Sequence, residues 1–565
     1  MNSLDISKTC ITDATAEQSG RGISIARFLR PETALGVTVS LIVFVLTVPP
    51  LAAVLLAGSG VTFAPFRQPD IVFNTLVFGV GTTALAVGAG YGLALAVAPG
   101  VPGRAVLERL VVMPLYLTPL LTAMGWDWLA SPHSGLINLV LHAAWGNAVG
   151  INAVTPAGAI AVSALATAPL PFLLISDALS GTDASLTEAA RVHGATPRMV
   201  TCRIVLPLLA PAGLASSVLV FVQAIGLFSV PAVLGMPAGF NVATTEIYQL
   251  LETYPPRIGD ATAWGLLLLA IAAALTFGQS ALLSRRSFVT ITGKAFRPAP
   301  RSSKAPRLRA GIGWSYVILA TILPLAALLW AASVAFLTSS FKLMHFSAEH
   351  FEYILFHYPK TWLAVGNSII LGVVAATLVT LLGFAVSWIT QRTRQRGRGL
   401  LDQLSMLPLS MPAMVFALGL LWVYVRVPLP IYGTLGILLI AFVTQCLPYG
   451  VRATGAALRQ QHPELEEAAR VSGASWMTTM WRVTLPLAGP ALFATWLLIF
   501  IMAMQEVSSS ILLYSSRSIV LPVAIFDLWQ NGNPSDVAAL GFVQLAVCFL
   551  IGAVALSARQ SRSLA

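Results

Sequence analysis

Glu188–Ala195 reads EAARVHGA and Glu467–Ala474 reads EAARVSGA, 279 residues further on. An internal repeat alters the whole fold assignment, so its extent matters first. At the same shift, ARVHGATPRMVTCRIVLPLLAPA (190–212) lies over ARVSGASWMTTMWRVTLPLAGPA (469–491), with Arg203 on Arg482, Pro207 on Pro486 and Pro211 on Pro490. Upstream the shift becomes 293, and NTLVFGVGTTALAVGAGYG (74–92) lies over NSIILGVVAATLVTLLGFA (367–385). The drift between the two shifts marks insertions in the loops, and the second half of the chain repeats the first.

With 565 residues, 57% of them hydrophobic and 10% charged, the chain is too apolar for a soluble protein. Apolar runs long enough to cross about 30 Å of hydrocarbon recur along it. Twelve spans are expected near 34–57, 73–98, 110–129, 155–178, 210–234, 262–283, 313–337, 366–389, 404–424, 434–451, 489–514 and 537–558. Six spans per half is an even number, so the halves are parallel repeats about an axis along the membrane normal. The expected fold is all-α and polytopic: a pseudo-twofold transmembrane dimer written in one chain.

Lys and Arg accumulate on the cytoplasmic side of membrane proteins. Placing both termini inside puts 27 of the 33 basic residues there, leaving only Arg67, Arg257, Lys342, Lys360, Arg426 and Arg517 outside. The net charge of +11 is then mostly an orientation signal, helped by attraction to anionic membrane lipid, and implies no nucleic-acid partner. The expected organisation is a cytoplasmic tail over 1–33, a first half over 34–283, a basic linker over 284–312, a second half over 313–558 and a short tail over 559–565. The polar first 30 residues lack the apolar core and cleavage site of a signal peptide, so the first span is expected to remain as an anchor. Cys10, Cys202, Cys446 and Cys548 have no metal-ligand spacing, and no disulfide is expected.

Each octapeptide has the makings of a short, well-terminated cytoplasmic helix. Ser185 and Glu188 have capping-box spacing, whereas the second copy uses Pro463 with Glu464, Glu466 and Glu467 at the positive end of the helix dipole. Gly194 and Gly473 sit where a left-handed C-terminal cap favours glycine. Ala189, Ala190, Ala468 and Ala469 leave a flat surface that another protein could approach closely.

These residues, each set followed by Leu-Pro-Leu, resemble the EAA loops of permease subunits in ATP-binding-cassette importers fed by a substrate-binding protein. The resemblance implies that the loops at 185–208 and 463–487 form coupling helices seated on two copies of a separate ATPase subunit. It assigns that contact to Glu188, Ala189, Ala190, Gly194, Glu467, Ala468, Ala469 and Gly473. A periplasmic binding protein and a bacterial inner-membrane location are implied with it. The chain has no G-x-x-x-x-G-K-[ST] motif and no Ser-His-Asp, Cys-His or metal-ligand cluster at plausible spacing. It is therefore expected to be a transport subunit rather than an enzyme, without a cofactor of its own and with ATP on the partner.

FSAEHFEYIL (346–355) and the segment 500–542 are similar to ferric-iron importer permeases, which makes ferric iron the expected cargo. Related branches serve thiamine, 2-aminoethylphosphonate, polyamines or sugar phosphates. An ion-gradient-driven secondary transporter also predicts parallel repeats but gives no reason for two capped cytoplasmic helices. A membrane enzyme or scaffold would need a reactive cluster or a large soluble domain.

Glu506 lies about 25 Å above Gly489 if the helix is continuous, in the outer third of its span, and its repeat counterpart is Leu227. An ionisable group at that depth is costly, so Glu506 is a candidate for the substrate pathway, with hydrogen bonding to Ser508, Ser509 or Ser510 as the structural alternative. Asp127, between Trp126 and Trp128, reads as an interface anchor. His345, His350 and His357 do not share a helix face and read as a solvated or docking surface.

Overall fold

The computed structural model describes residues 31–56, 62–97, 100–132, 134–145, 150–182, 184–284, 306–337, 345–426, 431–532 and 534–563. Residues 1–30 and 285–305, which hold most of the expected tail and linker, lie outside the described residues, as does Cys10. Among the described residues nine helices are long and apolar enough to cross a bilayer, and three bent pairs bring the total to 12.

In the first half these are α1 (Pro31–Leu56), α2 (Pro69–Ala96), α3 (Arg104–Val111) bent onto α4 (Pro119–Ala130), and α5 (Pro156–Thr167) bent onto α6 (Pro169–Ser180). A short α7 (Ala184–Val192) follows, then α8 (Leu206–Gly226), α9 (Ala243–Glu252) and α10 (Ile258–Ser284). The second half repeats the series with α11 (Pro306–Ser333), α12 (Thr361–Arg392), α13 (Arg398–Met406) bent onto α14 (Ala413–Arg426), and a continuous α15 (Leu435–Arg459). It ends with α16 (Glu464–Val471), α17 (Leu485–Gln505), α18 (Leu521–Gln530) and α19 (Pro534–Ser563).

Five expected spans are corrected by this arrangement. The third and ninth are not straight: their segments turn through 97° and 108° at Leu117–Pro119 and Met411–Pro412. Proline lacks an amide donor and pushes the preceding residue into extended backbone, which stops one helix and starts another. At 12 and 14 residues, α4 and α14 reach only about 18–21 Å, too short for either to cross a bilayer alone. The fourth span bends by 44° where Pro169 starts its second segment. The fifth and eleventh spans also stop short of the expected 234 and 514, at Gly226 and Gln505.

The halves repeat down to single contacts. Gly79 lets α2 touch Phe221 and Ile225 of α8, and its equivalent Gly372 lets α12 touch Phe500 and Met504 of α17, each pair displaced by 279. The first helix of each half, however, packs on the other half: α1 lies on α14, and α11 lies on α4. TVPPLAAVLL (47–56) and TILPLAALLW (321–330) are the matching stretches. A Cβ at Gly125 would stand 2.9 Å from the Pro324 carbonyl oxygen, and one at Gly419 would come closer still to that of Pro50. Glycine is required at both points because the backbone of a proline-bearing turn is pressed directly against the helix.

His350 is a second correction. It is no solvated docking residue: its side chain is 15% exposed, with Nδ1 2.7 Å from Asp536 Oδ1 and Nε2 3.1 Å from the Ala335 carbonyl. It fastens the segment after α11, where Val334 bridges Phe346, to the first turn of α19. His345 and His357 are exposed, and Asp127 is half-buried near the end of α4. Cys202, Cys446 and Cys548 are free thiols.

Replacing Gly125 or Gly419 with leucine should cost about 1–3 kcal/mol each by overpacking and lower the Tm of the purified chain. Gly88→Leu is the control: a Cβ there would have no neighbouring atom within 4 Å, so Tm should be nearly unchanged.

Candidate functional site

Both octapeptides fold as expected at their C-terminal ends. Gly194 and Gly473 adopt φ of 81° and 85°, in the left-handed region that other residues avoid. In each copy the glycine amide donates to the third residue before it (Arg191, Arg470) and the following alanine amide reaches the carbonyl of Ala190 or Ala469, at 3.0 Å throughout. This is the Schellman pattern, which satisfies carbonyls that the helix end leaves unpaired. The residues that differ before the glycine do the same work: His193 Nδ1 and Ser472 Oγ donate to the Ala189 and Ala468 carbonyls at 2.8 and 2.9 Å.

At the N-terminal ends the expectation is half met. Glu464, Glu466 and Glu467 occupy the first turn of α16. The first copy starts at Ala184, which places Ser185 inside α7 rather than at its cap; its side chain lies outside the described residues. Glu188, Ala189 and Gly194, like Glu467, Ala468 and Gly473, are exposed, and Ala190 and Ala469 are half-buried. Matched apolar side chains are exposed beside them: Val192 at 86% and Val471 at 89%, with Leu186 and Leu465. A polar end of the molecule thus carries two equivalent apolar knobs, each on a rigidly capped helix, as a protein contact requires.

The two helices are fastened unequally. Arg392, at the end of α12, donates through Nη2 to the Leu458 and Gln461 carbonyls at 2.9 and 2.6 Å, and its Nε lies 3.6 Å from Glu466 Oε1. Thr484 donates to the same carboxylate oxygen at 3.3 Å, and Trp476 meets Trp388 of α12 edge to face with centroids 5.5 Å apart. Arg470 adds a surface pair with Glu32 of α1 at 3.2 Å. At the positions matching Arg392, Trp388, Glu466, Trp476 and Thr484 the first half has Pro99, Leu95, Thr187, Pro197 and Val205. None of these can make the charged or aromatic contacts, so α16 is bolted to a membrane helix in a way its counterpart is not.

At the opposite end the halves meet on the pseudo-twofold axis. Asn74 Nδ2 donates to the Asn241 carbonyl and Thr75 Oγ1 accepts from the Ala243 amide, seating the start of α9. Asn367 and Ser368 repeat this at Ile519 and Leu521, the start of α18. Tyr248 of α9 and Phe526 of α18 are equivalent positions at a shift of 278, and their rings touch at 5.8 Å. Two positions related by a twofold can touch only at its axis. Phe228 packs on both at 5.1 and 5.3 Å, and Gln530 Nε2 donates to the Tyr248 hydroxyl at 3.1 Å. All three rings are buried, so the space between the halves is shut here. At the rim, Lys360 Nζ lies 2.7 Å from Asp527 Oδ2, a bond that holds the ammonium pKa above the ordinary lysine value.

Glu506 sits beside this closure, not within a helix as its position in an apolar run suggested. It caps the end of α17 with extended backbone, and Oε1 accepts from the Ser509 amide at 2.9 Å and the Ser509 hydroxyl at 3.2 Å. Tyr449 of α15 lies within its electrostatic reach, and Gln223 of α8 donates to the Tyr449 hydroxyl at 3.3 Å across the two halves. Sequence reasoning found Glu506 but missed Tyr449, Gln223, Arg392 and the aromatic closure. For Tyr449, Gln223 and Arg392 the signal was that a polar residue stands where the equivalent repeat position, Leu170, Met502 or Pro99, is apolar.

The family described as the binding-protein-dependent transport system inner membrane component matches residues 21–287 and 368–562, once on each half. A ferric transport system permease protein FbpB of Actinobacillus pleuropneumoniae is 27% identical over 399 residues, 68% of this chain and 56% of that protein. A protein designated ferric transport system permease FbpB 1 in Haemophilus influenzae is 27% identical over 500 residues, 84% of this chain and 77% of its own length. A 2-aminoethylphosphonate transport system permease, PhnV of Salmonella paratyphi A, is 30% identical over 258 residues, covering 44% of this chain and 93% of the relative.

Arg392→Ala should release α16 without unfolding the bundle. Amide hydrogen exchange over 464–472 is expected to rise roughly tenfold, while exchange over 184–193 stays as it was.

Proposed function

The chain belongs to the family of inner membrane components of binding-protein-dependent transport systems, and we propose that its two halves form the whole translocation pathway of an importer powered by two separate ATP-binding-cassette subunits. It is a multi-pass inner membrane protein. The observation that carries the proposal is the pair of equivalent, exposed helices α7 and α16, each closed by the same left-handed glycine and each presenting the same valine. A capped helix passes on a displacement that a loose loop would absorb. The residues in contact with the ATPase are Glu188, Ala189, Ala190 and Gly194 on one side and Glu467, Ala468, Ala469 and Gly473 on the other. An ion-gradient-driven transporter would have no use for them.

In this reading the helices face the cytoplasm, as the distribution of basic residues demands. A periplasmic binding protein docks over the closed aromatic contact of Phe228, Tyr248 and Phe526. Binding of ATP on the partner subunits draws α7 and α16 together, parts the contact and admits the cargo; hydrolysis resets it. The cargo favoured is ferric iron, on the likeness of most of the chain to two permeases named for ferric transport. The alternative within the same class is 2-aminoethylphosphonate, on the likeness of one half to a permease named for it.

Purification with the ATPase should yield two copies per chain. Gly194→Val and Gly473→Val each force a branched residue into left-handed backbone, at about 1–2 kcal/mol. Each should weaken the complex several-fold in pull-down and lower uptake of ferric iron into reconstituted vesicles. Full ATPase binding and uptake by the double variant would exclude these helices as the coupling contact.

A further inference from the structure

Leu227 and Glu506 occupy equivalent positions where α8 and α17 end, with φ of −73° in both and ψ of 123° and 112°. The first half makes this turn with leucine, so the turn itself does not need a carboxylate. Holding one so deep in an apolar bundle is costly, which calls for another use. Non-helical backbone at membrane depth is tolerated where it lines a cavity, and broken helices at the boundary between repeats are where transporters bind their cargo.

Three observations put Glu506 on the path between the halves. It retains exposed surface in the middle of the bundle, as do Gln223, Leu227, Tyr449 and Met502 around the same boundary. Its neighbour Tyr449 is joined by hydrogen bond to Gln223 of the other half, so the polar group straddles the interface. From Tyr449 an accessible stripe runs along one face of α15 through Arg452, Ala453 and Ala456 to Arg459, at helical spacing, toward the coupling helices. The opposite direction is closed by Phe228, which follows Leu227 directly.

We propose that Glu506, with Tyr449 and Gln223, is a transit site that selects a positively charged cargo. A carboxylate flanked by a phenol and an amide offers hard oxygen atoms to a metal cation and a charged acceptor to an ammonium group. It repels the phosphate of a sugar phosphate. The first half contributes Leu227 in place of a second carboxylate, so one negative charge faces the path and the cargo is held weakly enough to leave. This assignment rests on the importer reading and narrows the class of its cargo.

The test is uptake by the complete importer, with its ATPase and binding protein, in liposomes supplied in turn with ferric iron, putrescine, 2-aminoethylphosphonate and glucose 6-phosphate. Glu506→Gln keeps the size of the side chain and an acceptor for Ser509, and should lower uptake of the transported cation at least about tenfold; Glu506→Asp should retain an intermediate rate. Glu506→Leu, copying the first half, is the second variant, and copurification of the ATPase reports that each has folded. Uptake by Glu506→Gln within about twofold of the parent overturns the transit site. So does a parent that carries only glucose 6-phosphate. A parent that carries putrescine but no iron, and loses that transport in Glu506→Gln, overturns the ferric reading and supports the site, whereas a parent that carries only 2-aminoethylphosphonate, whose net charge is not positive, overturns the site.

Discussion

Proline pressed on glycine at two equivalent points, Pro324 on Gly125 and Pro50 on Gly419, seats the first helix of each half in the other half. Much else depends on this exchange. Neither half can leave its partner without pulling a helix out of close packing. Through Arg470 and Glu32, α16 touches the first half's own strap, α1, and so is tied to both halves. Surface pairs of this kind contribute little stability, and their value here is directional.

On this symmetric frame the differences between the halves become informative. The bends before α4 and α14, the glycine contacts of α2 and α12, and the asparagine seats of α9 and α18 are all duplicated. Not duplicated are the bend between α5 and α6, which α15 lacks, the fastening of α16 by Arg392, Glu466 and Trp476, and the carboxylate of Glu506. The frame thus accounts for architecture, and two of the departures from it lie at the places the proposed function gives to the ATPase contact and to the path of the cargo.

Much of this was legible in the sequence. Hydrophobic length located the nine long apolar helices and the three bent pairs, and glycine after an alanine-rich helix announced both left-handed caps, because those features depend on residues close together in the chain. The bends were missed because a window of about 20 residues averages over a proline that interrupts it. Arg392 and Glu466 are separated by the bent pair α13 and α14 and by α15, and the contact of Tyr248 with Phe526 depends on how the two halves dock; local pattern reports neither. His350 was misjudged for the same reason, since its partner Asp536 is 186 residues away and spacing within one helix says nothing about it.

Carrying both halves on one polypeptide has a genetic consequence. In a pathway built from two copies of one gene product, every substitution appears twice, and a carboxylate near the axis would face its own image. The repulsion between two such charges at close range would push one of them to take up a proton. A tandem chain escapes that doubling. Each residue near the axis can vary by itself, so a single acidic group, a single tyrosine–glutamine latch and a single braced helix can be acquired one mutation at a time. Duplication followed by separate drift of the two copies is therefore a route by which such a pathway could change its cargo while its scaffold stays the same.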